Sequence, residues 1–223
     1  MKRSDPAVRE KDHVDALRKW MQTEFPVVFS ENSGYKIDRI ENMAENSKKK
    51  NIEILQFDGQ DFPREFGKGY GELLNIKHAV RHSKVINESS HVIKVNGRYF
   101  VKNIEEIASA LSYSKDVYVM VDLQRNLTWA DSRVFAFKPS FVFDYLSKFQ
   151  DLLNDSAGIY MEHILSRAVL SAISEGHKWV PLPRRPIIVG YSGTSDTPYK
   201  KSGIRWVVGE IIHRAKNHLM ERY

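Results

Sequence analysis

The chain has 223 residues, 42% hydrophobic and 28% charged, with 34 basic and 28 acidic side chains and a formal net charge of +6. That size and composition suit one globular domain with a sizeable core and exclude a disordered chain. The absence of cysteine excludes disulfides, thiolate zinc sites and cysteine nucleophiles, and no apolar run approaches the roughly 18 residues of a membrane span.

The chain opens Met1-Lys2-Arg3-Ser4-Asp5-Pro6 with no apolar run behind it, so no secretory signal is expected. Asp5-Pro6 reads as an N-cap followed by proline at N1. Val8, Val14, Leu17 and Met21 then recur at helical spacing to about Glu24. Pro26 precedes a short strand at Val27-Val28-Phe29. A second helix pattern takes in Ile37, Ile40, Met43 and Ala44. The run Lys48-Lys49-Lys50 reads as a solvated loop, and Ile52–Phe57 alternates as a strand that stops at Asp58-Gly59.

A third helix is predicted from about Gly71 to His82, then a strand at Val92–Val95 that Tyr99-Phe100-Val101 continues beyond Gly97. A helix over Ile104–Leu111 leads to the strand Val117–Val121, apolar throughout, which implies a sheet covered on both faces. Strands alternating with helices predict βαβ crossovers and a mostly parallel central sheet flanked by helices, an α/β fold over 1–223. Further on, Arg133–Phe137 reads as a strand, Phe141–Phe149 and Gly158–Ser174 as helices, and Ile187–Val189 as a last strand. An amphipathic helix spans Gly203 to Met220, within 203–222, and gathers Val207, Val208, Ile211, Ile212, Ala215 and Leu219 on one broad face. That face packs on the sheet or lies on an anionic membrane as a peripheral contact.

Several polar clusters stand where strands end, and ligands of open α/β sheets bind there. Gly67-Lys68-Gly69-Tyr70-Gly71-Glu72 opens a helix, where backbone N–H groups and the helix dipole attract an anion; a capped turn accounts for it equally. Lys94, Gly97, Arg98 and Tyr99 follow a strand, and Arg98 can grip a phosphate bidentately. Glu31, Asn32 and Ser33 follow the strand at Val27–Phe29, and Asp131-Ser132-Arg133 follows Trp129. Either group reads a sugar, a base or a ribose, or forms a turn. Glu162, early in the long helix, is a general base or a partner of the helix dipole. Ser192-Gly193-Thr194 resembles a loop that wraps phosphate or sugar hydroxyls; Ser192 lacks the spacing of a hydrolase elbow.

These stretches in this order resemble bacterial and viral glycosyltransferase-like proteins of surface-polysaccharide (capsule or lipopolysaccharide) synthesis. The resemblance is carried by Lys2–Pro6 with Arg9, Phe29–Tyr35, Gly67–Glu72, Lys94–Tyr99, Asn154–Ser156 and Ser192–Thr194. It implies a GT-A-like, Rossmann-related domain, here without the strand that usually opens it, that moves a sugar from a nucleotide-sugar donor to a glycan or lipid-linked acceptor. By the same resemblance Glu162 is the catalytic base, with Asp155 in reserve. Lys68, Gly69, Lys94, Gly97, Arg98, Ser192, Gly193 and Thr194 bind the donor phosphates. Glu31, Asn32, Ser33, Tyr99, Asp131 and Arg133 bind sugar, nucleotide or acceptor. The chain has no Asp-x-Asp motif, so no tightly bound cofactor is expected, and a divalent metal is left open. A non-catalytic or truncated nucleotide-sugar-binding domain is the second reading. Nucleic acid is not an expected partner, because the basic and aromatic residues do not interleave in a known motif. The expected location is the cytoplasm, at or near the inner membrane face.

Overall fold

The computed structural model describes residues 5–47, 52–193, 195–199 and 204–220. The Asp5 carboxylate accepts from the Ala7 amide at 2.9 Å, and Pro6 needs no donor at N1, so α1 (Pro6–Trp20) starts as its sequence requires. It ends short of Glu24. β1 (Val27–Glu31), α2 (Asp38–Glu45) and β2 (Ile52–Gln56) follow. The two strands pair in parallel from Val27↔Ile52 to Glu31↔Gln56. Beneath α1 and α2, Val14, Leu17, Phe29, Ile37 and Ile40 form their own apolar cluster.

Next come α3 (Gly67–His82), α4 (Lys84–Asn87), β3 (Val92–Val95), β4 (Phe100–Val101), α5 (Ile104–Tyr113) and β5 (Val117–Met120). A small hairpin, β6 (Leu123–Gln124) and β7 (Trp129–Ala130), leads to β8 (Val134–Phe137). The chain then passes through α6 (Phe141–Asp144), α7 (Met161–Ser174), β9 (Lys178–Val180), β10 (Ile188–Val189) and α8 (Ile204–Met220).

The largest sheet has the order β3-β8-β5-β9. β8 is antiparallel to both β3 and β5, and only β5 and β9 run parallel. The expected mostly parallel central sheet is therefore a mixed one. The alternation of strands and helices on which that expectation rested breaks at β8, which follows the β6–β7 hairpin with no crossover helix, whereas the cover on both faces implied by the apolar β5 is present. β5 and β8 are buried along their whole length. On one side Val119, Phe135 and Phe137 pack with Leu73 and Ile76 of α3 and Ile164, Leu165 and Ala168 of α7. On the other, Val117, Met120, Val134 and Ala136 pack with Ile104, Ile107 and Leu111 of α5.

Three local expectations change. Tyr99–Val101 does not extend β3; β4 instead pairs antiparallel with β10. The helix expected from Gly158 begins at Met161, because Asp155–Ala157 forms a 3-10 turn closed by Gly158 at φ 76°. Only Phe141–Asp144 of the stretch to Phe149 is α-helical, and a 3-10 segment, Leu146–Leu152, takes over.

Candidate functional site

A cleft of about 1220 Å³ opens between α1, the end of β1, the start of α3 and the end of β3. Seven of the residues singled out in the sequence line it: Glu31, Asn32, Ser33, Lys68, Lys94, Gly97 and Arg98. Fifty or more residues of sequence separate the first of these from the last, and the parallel β1–β2 pair and β3 bring them together at their strand ends. Arg9 and His13 of α1 join them. Their i, i+4 spacing puts both on one helix face, and that was the sequence signal for them.

The cationic groups of this cleft are not equivalent. Lys94 Nζ donates to Glu72 Oε1, to Asn96 Oδ1 and, at 2.6 Å, to the Ser132 carbonyl. An ammonium has three protons, and all three are used. Lys94 is a tie between β3, α3 and the Ser132 loop. By contrast, Arg98 Nη1 and Arg9 Nε are both buried and have no hydrogen-bond partner among the described residues. Two guanidinium N–H groups removed from water without a partner are costly unless an anion completes them. Burial pulls the His13 imidazole down to about 4, and Arg98 and Arg9 push the same way, while Glu31 opposes them with its carboxylate 3.8 Å from Nδ1. His13 is therefore neutral at pH 7.

The polar residues after β1 are partly committed to shape. Glu31 Oε1 accepts from the Ser33 amide at 2.8 Å, and Asn32 Nδ2 donates to the Gly71 carbonyl at 2.8 Å, which binds the β1 end to α3. Gly97 lies against Phe29 and His13, where a Cβ would make ordinary contacts at 3.6 Å and 3.8 Å.

The helix N-terminus expected to hold phosphate is occupied from within. The Asp155 carboxylate accepts from the Lys68 amide at 3.1 Å. A Cβ on Gly67 would fall 2.2 Å from Asp155 Oδ2, and Gly67 sits at φ 72°, ψ −167°, a region only glycine adopts with ease. Burial raises the Asp155 pKa, against the bonds from the Lys68 and Gly69 amides. Asp155 is thus the cap of α3. Gly69 serves packing: a Cβ there would lie 3.1 Å from the Met161 amide, where α3 crosses the start of α7.

Glu162, in the first turn of α7, accepts from Ser132 Oγ at 3.0 Å. Ser132 is buried, and it connects Glu162 to Lys94 through its own carbonyl. On either side of it, Asp131 and Arg133 pair bidentately, Nε to Oδ1 at 2.8 Å and Nη2 to Oδ2 at 2.5 Å, which raises the guanidinium pKa further. Both line a second cavity of about 490 Å³ with Asp122, Tyr199, His213 and Asn217. Burial lifts Asp122 to about 6, against the nearby His213 and the Leu182 amide. Neither Asp122 nor His213 was expected in a site.

Tyr99, expected to bind sugar, nucleotide or acceptor, lines neither cavity and belongs to the apolar core beside α5. It is buried, its hydroxyl is 3.4 Å from that of Tyr199, and burial raises its pKa. The loop after β10 reaches Arg98 rather than open space. A Cβ on Gly193 would sit 2.5 Å from Arg98 Nη2, so Gly193 lies directly on the guanidinium. Ser192 shapes that loop by bonding to Thr197, Asp196 and Ser195. Thr194 lies outside the described residues. Among the described residues no group of three or more His, Asp or Glu side chains is placed to hold a metal ion, and no helix is long and apolar enough to cross a membrane.

No protein-family model matches the chain, and no curated protein does. Among solved structures it is similar to HddC from Yersinia pseudotuberculosis, at 11% identity and a TM-score of 0.39. The match covers 59% of this chain and 64% of that one, so the chain spans somewhat under two thirds of HddC.

Proposed function

We propose that the chain is a nucleotide-sugar-dependent glycosyltransferase of surface-polysaccharide synthesis, a variant of the GT-A arrangement working at the cytoplasmic side of a membrane. The observation that carries this reading is the large cleft in which Arg9 Nε and Arg98 Nη1 are buried without partners, beside Glu31, Asn32 and Ser33. Such a cleft suits a ligand with a dianionic or trianionic centre and polar arms. A donor diphosphate meets Arg98 and Arg9, with Lys68 at the rim and Gly193 behind the Arg98 guanidinium. Glu31, Asn32 and Ser33 face the sugar or nucleoside.

In the reaction, Glu162, which lines neither cavity and is joined to the cleft through Ser132, takes the proton of an acceptor hydroxyl that reaches past Ser132, and that oxygen forms a bond to the anomeric carbon. The bond from that carbon to the diphosphate oxygen breaks, and the nucleoside diphosphate leaves against the two arginines. Lys94 and Ser132 position Glu162. Asp131 and Arg133, with Tyr199, offer charged and aromatic groups for a glycan or lipid-linked acceptor in the smaller cavity.

The test is calorimetry with nucleoside diphosphates and nucleotide-sugars, with and without a chelator. Binding that survives chelation, and that Arg98→Gln weakens at least about tenfold, supports the donor site. Glu162→Gln is expected to bind the donor normally and to lose turnover. Full turnover in that variant removes Glu162 from the base role.

A second reading, a binding domain without catalysis, is favoured by one observation: Lys94 and Asp155 are both committed to structural bonds. It predicts donor binding with no turnover by the unmodified chain on any acceptor.

A further inference from the structure

α8 is attached to the rest of the protein by its polar side. Glu210 accepts from the Arg185 amide at 3.3 Å and pairs with Arg184 and Arg214. Asn217 and His213 both donate to the Leu182 carbonyl, at 2.6 and 2.7 Å. Val207, Val208, Ile211 and Ile212 are exposed instead, so the sequence reading in which this apolar face packs on the sheet is corrected. Through Gly209, Ile212, His213 and Asn217, α8 forms one wall of the smaller cavity, and it brings His213 Nδ1 to 3.8 Å from Asp122 Oδ2. The outer atoms of these two groups are used. Asp122 Oδ1 accepts from the Leu182 amide at 3.0 Å, and His213 Nε2 carries a proton, because the carbonyl it meets can only accept. The inner atoms, Asp122 Oδ2 and His213 Nδ1, stand too far apart to bond to each other.

We infer that the Asp122–His213 pair grips a hydroxyl of a neutral sugar unit bound in the smaller cavity. An oxygen about 2.8 Å from both inner atoms fits between them. While the pair holds one proton, one inner atom donates and the other accepts, and a hydroxyl does both in return. A carboxylate or phosphate offers only lone pairs and would meet the unprotonated member; an ammonium offers only donors and would meet the shared proton. Burial lifts the Asp122 carboxyl to about 6 and Asp131 adds to that, against His213, the Leu182 amide and Arg185, so it holds a proton close to neutral pH. The walls select a sugar over water. The cavity, about 490 Å³, is of ligand size. Trp179, fixed by its Nε1 bond to the Val121 carbonyl at 2.9 Å, and Tyr199 offer rings to the C–H face of a sugar. Asp131 and Arg133 neutralise each other across their bidentate bond, which leaves polar groups for further hydroxyls without a net charge. The inference rests on the acceptor side of the glycosyltransferase reading, and adds to it the two residues that read the sugar.

The test is saturation-transfer NMR of the full chain with the methyl glycosides of glucose, galactose and mannose and with their monodeoxy analogues. The wild type is expected to bind at least one glycoside, and removal of one particular hydroxyl is expected to weaken it about tenfold or more. Asp122→Asn keeps the acceptor for the Leu182 amide and His213→Gln keeps a donor for the Leu182 carbonyl, and each is expected to weaken the same glycoside about tenfold. In both variants nucleoside diphosphate binding, measured by calorimetry, is expected to stay at the wild-type value, because neither residue lines the large cleft. Should a variant melt early, the deoxy series on the wild type decides. Absence of binding to every glycoside overturns the inference, as does equal binding of all the deoxy analogues or wild-type affinity in both variants. Glycoside binding by a chain that binds no nucleoside diphosphate upholds this site and overturns the glycosyltransferase reading; nucleoside diphosphate binding without glycoside binding overturns the inference and leaves the donor site standing.

Discussion

Gly193→Ala separates the anion site from the stability of the fold. Gly193 is not at a positive φ, so alanine meets no backbone strain. Its Cβ would lie 2.5 Å from Arg98 Nη2 and 2.9 Å from Nη1. Both are the far end of a flexible side chain, so the guanidinium gives way by roughly an ångström and the backbone stays. The cost in folding is expected to stay near 0.5 kcal/mol, as for substitutions away from the core. The cost in binding is larger. With an effective dielectric of about 20, a unit charge moved from about 4 to 5 Å loses about 0.8 kcal/mol. The spoiled charge-assisted hydrogen bond adds about 1.5 kcal/mol. Together these predict about a 50-fold weaker nucleoside diphosphate, measured by calorimetry beside a urea unfolding curve. Wild-type affinity in Gly193→Ala would refute the placement of the anion at Arg98. A loss of several kcal/mol in stability would show that the loop, and not the guanidinium, bears the strain.

Two further outcomes follow from the same geometry. Gly67→Ala forces a side chain into a glycine-only conformation and against Asp155, so it is expected to cost about 2–4 kcal/mol in urea unfolding, from strain and the lost cap. His13 titrates at about 4 in the folded protein against 6.5 ordinarily, so the unfolded chain takes up the proton first. Its contribution is complete above pH 6.5 and falls as pH drops toward 4, by about 2.5 kcal/mol at pH 4.5. Asp122, raised to about 6, works in the opposite sense, since the folded state holds its proton more tightly between pH 6 and 3.8. Wild-type stability alone therefore hides the effect. The stability difference between wild type and His13→Gln is expected to shift by about 2–3 kcal/mol between pH 7 and 4.5. A constant difference would show that His13 is solvated.

Helix and strand positions were largely legible because they rest on local periodicity. The Asp5-Pro6 cap and the apolar runs of β5 and β8 all appear where the residues place them. Strand direction was not legible. β8 enters the sheet directly from the β6–β7 hairpin, without a crossover helix, and nothing in Val134–Phe137 encodes that reversal. The cleft was legible in part, since seven expected residues line it. Glu162, Asp155, Asp131 and Arg133 lie elsewhere, joined to it through Ser132 or through the α3 cap.

What the sequence could not distinguish was a charge that is available from one that is already used. Lys94 and Arg98 stand four residues apart at the same strand end, and by type and position each suits a phosphate. Folding brings Glu72, Asn96 and the Ser132 carbonyl to Lys94, which exhausts its protons. It brings His13 and Gly193 to Arg98, and Arg9 to the same histidine, and leaves Arg98 Nη1 and Arg9 Nε without an acceptor among the described residues. Both outcomes depend on long-range neighbours: Glu72 is 22 residues from Lys94, and Arg9 lies on another helix altogether. The arginine pair is therefore where an anion gains most. It adds the acceptor that two buried donors lack, beside a neutral histidine that does not compete for it.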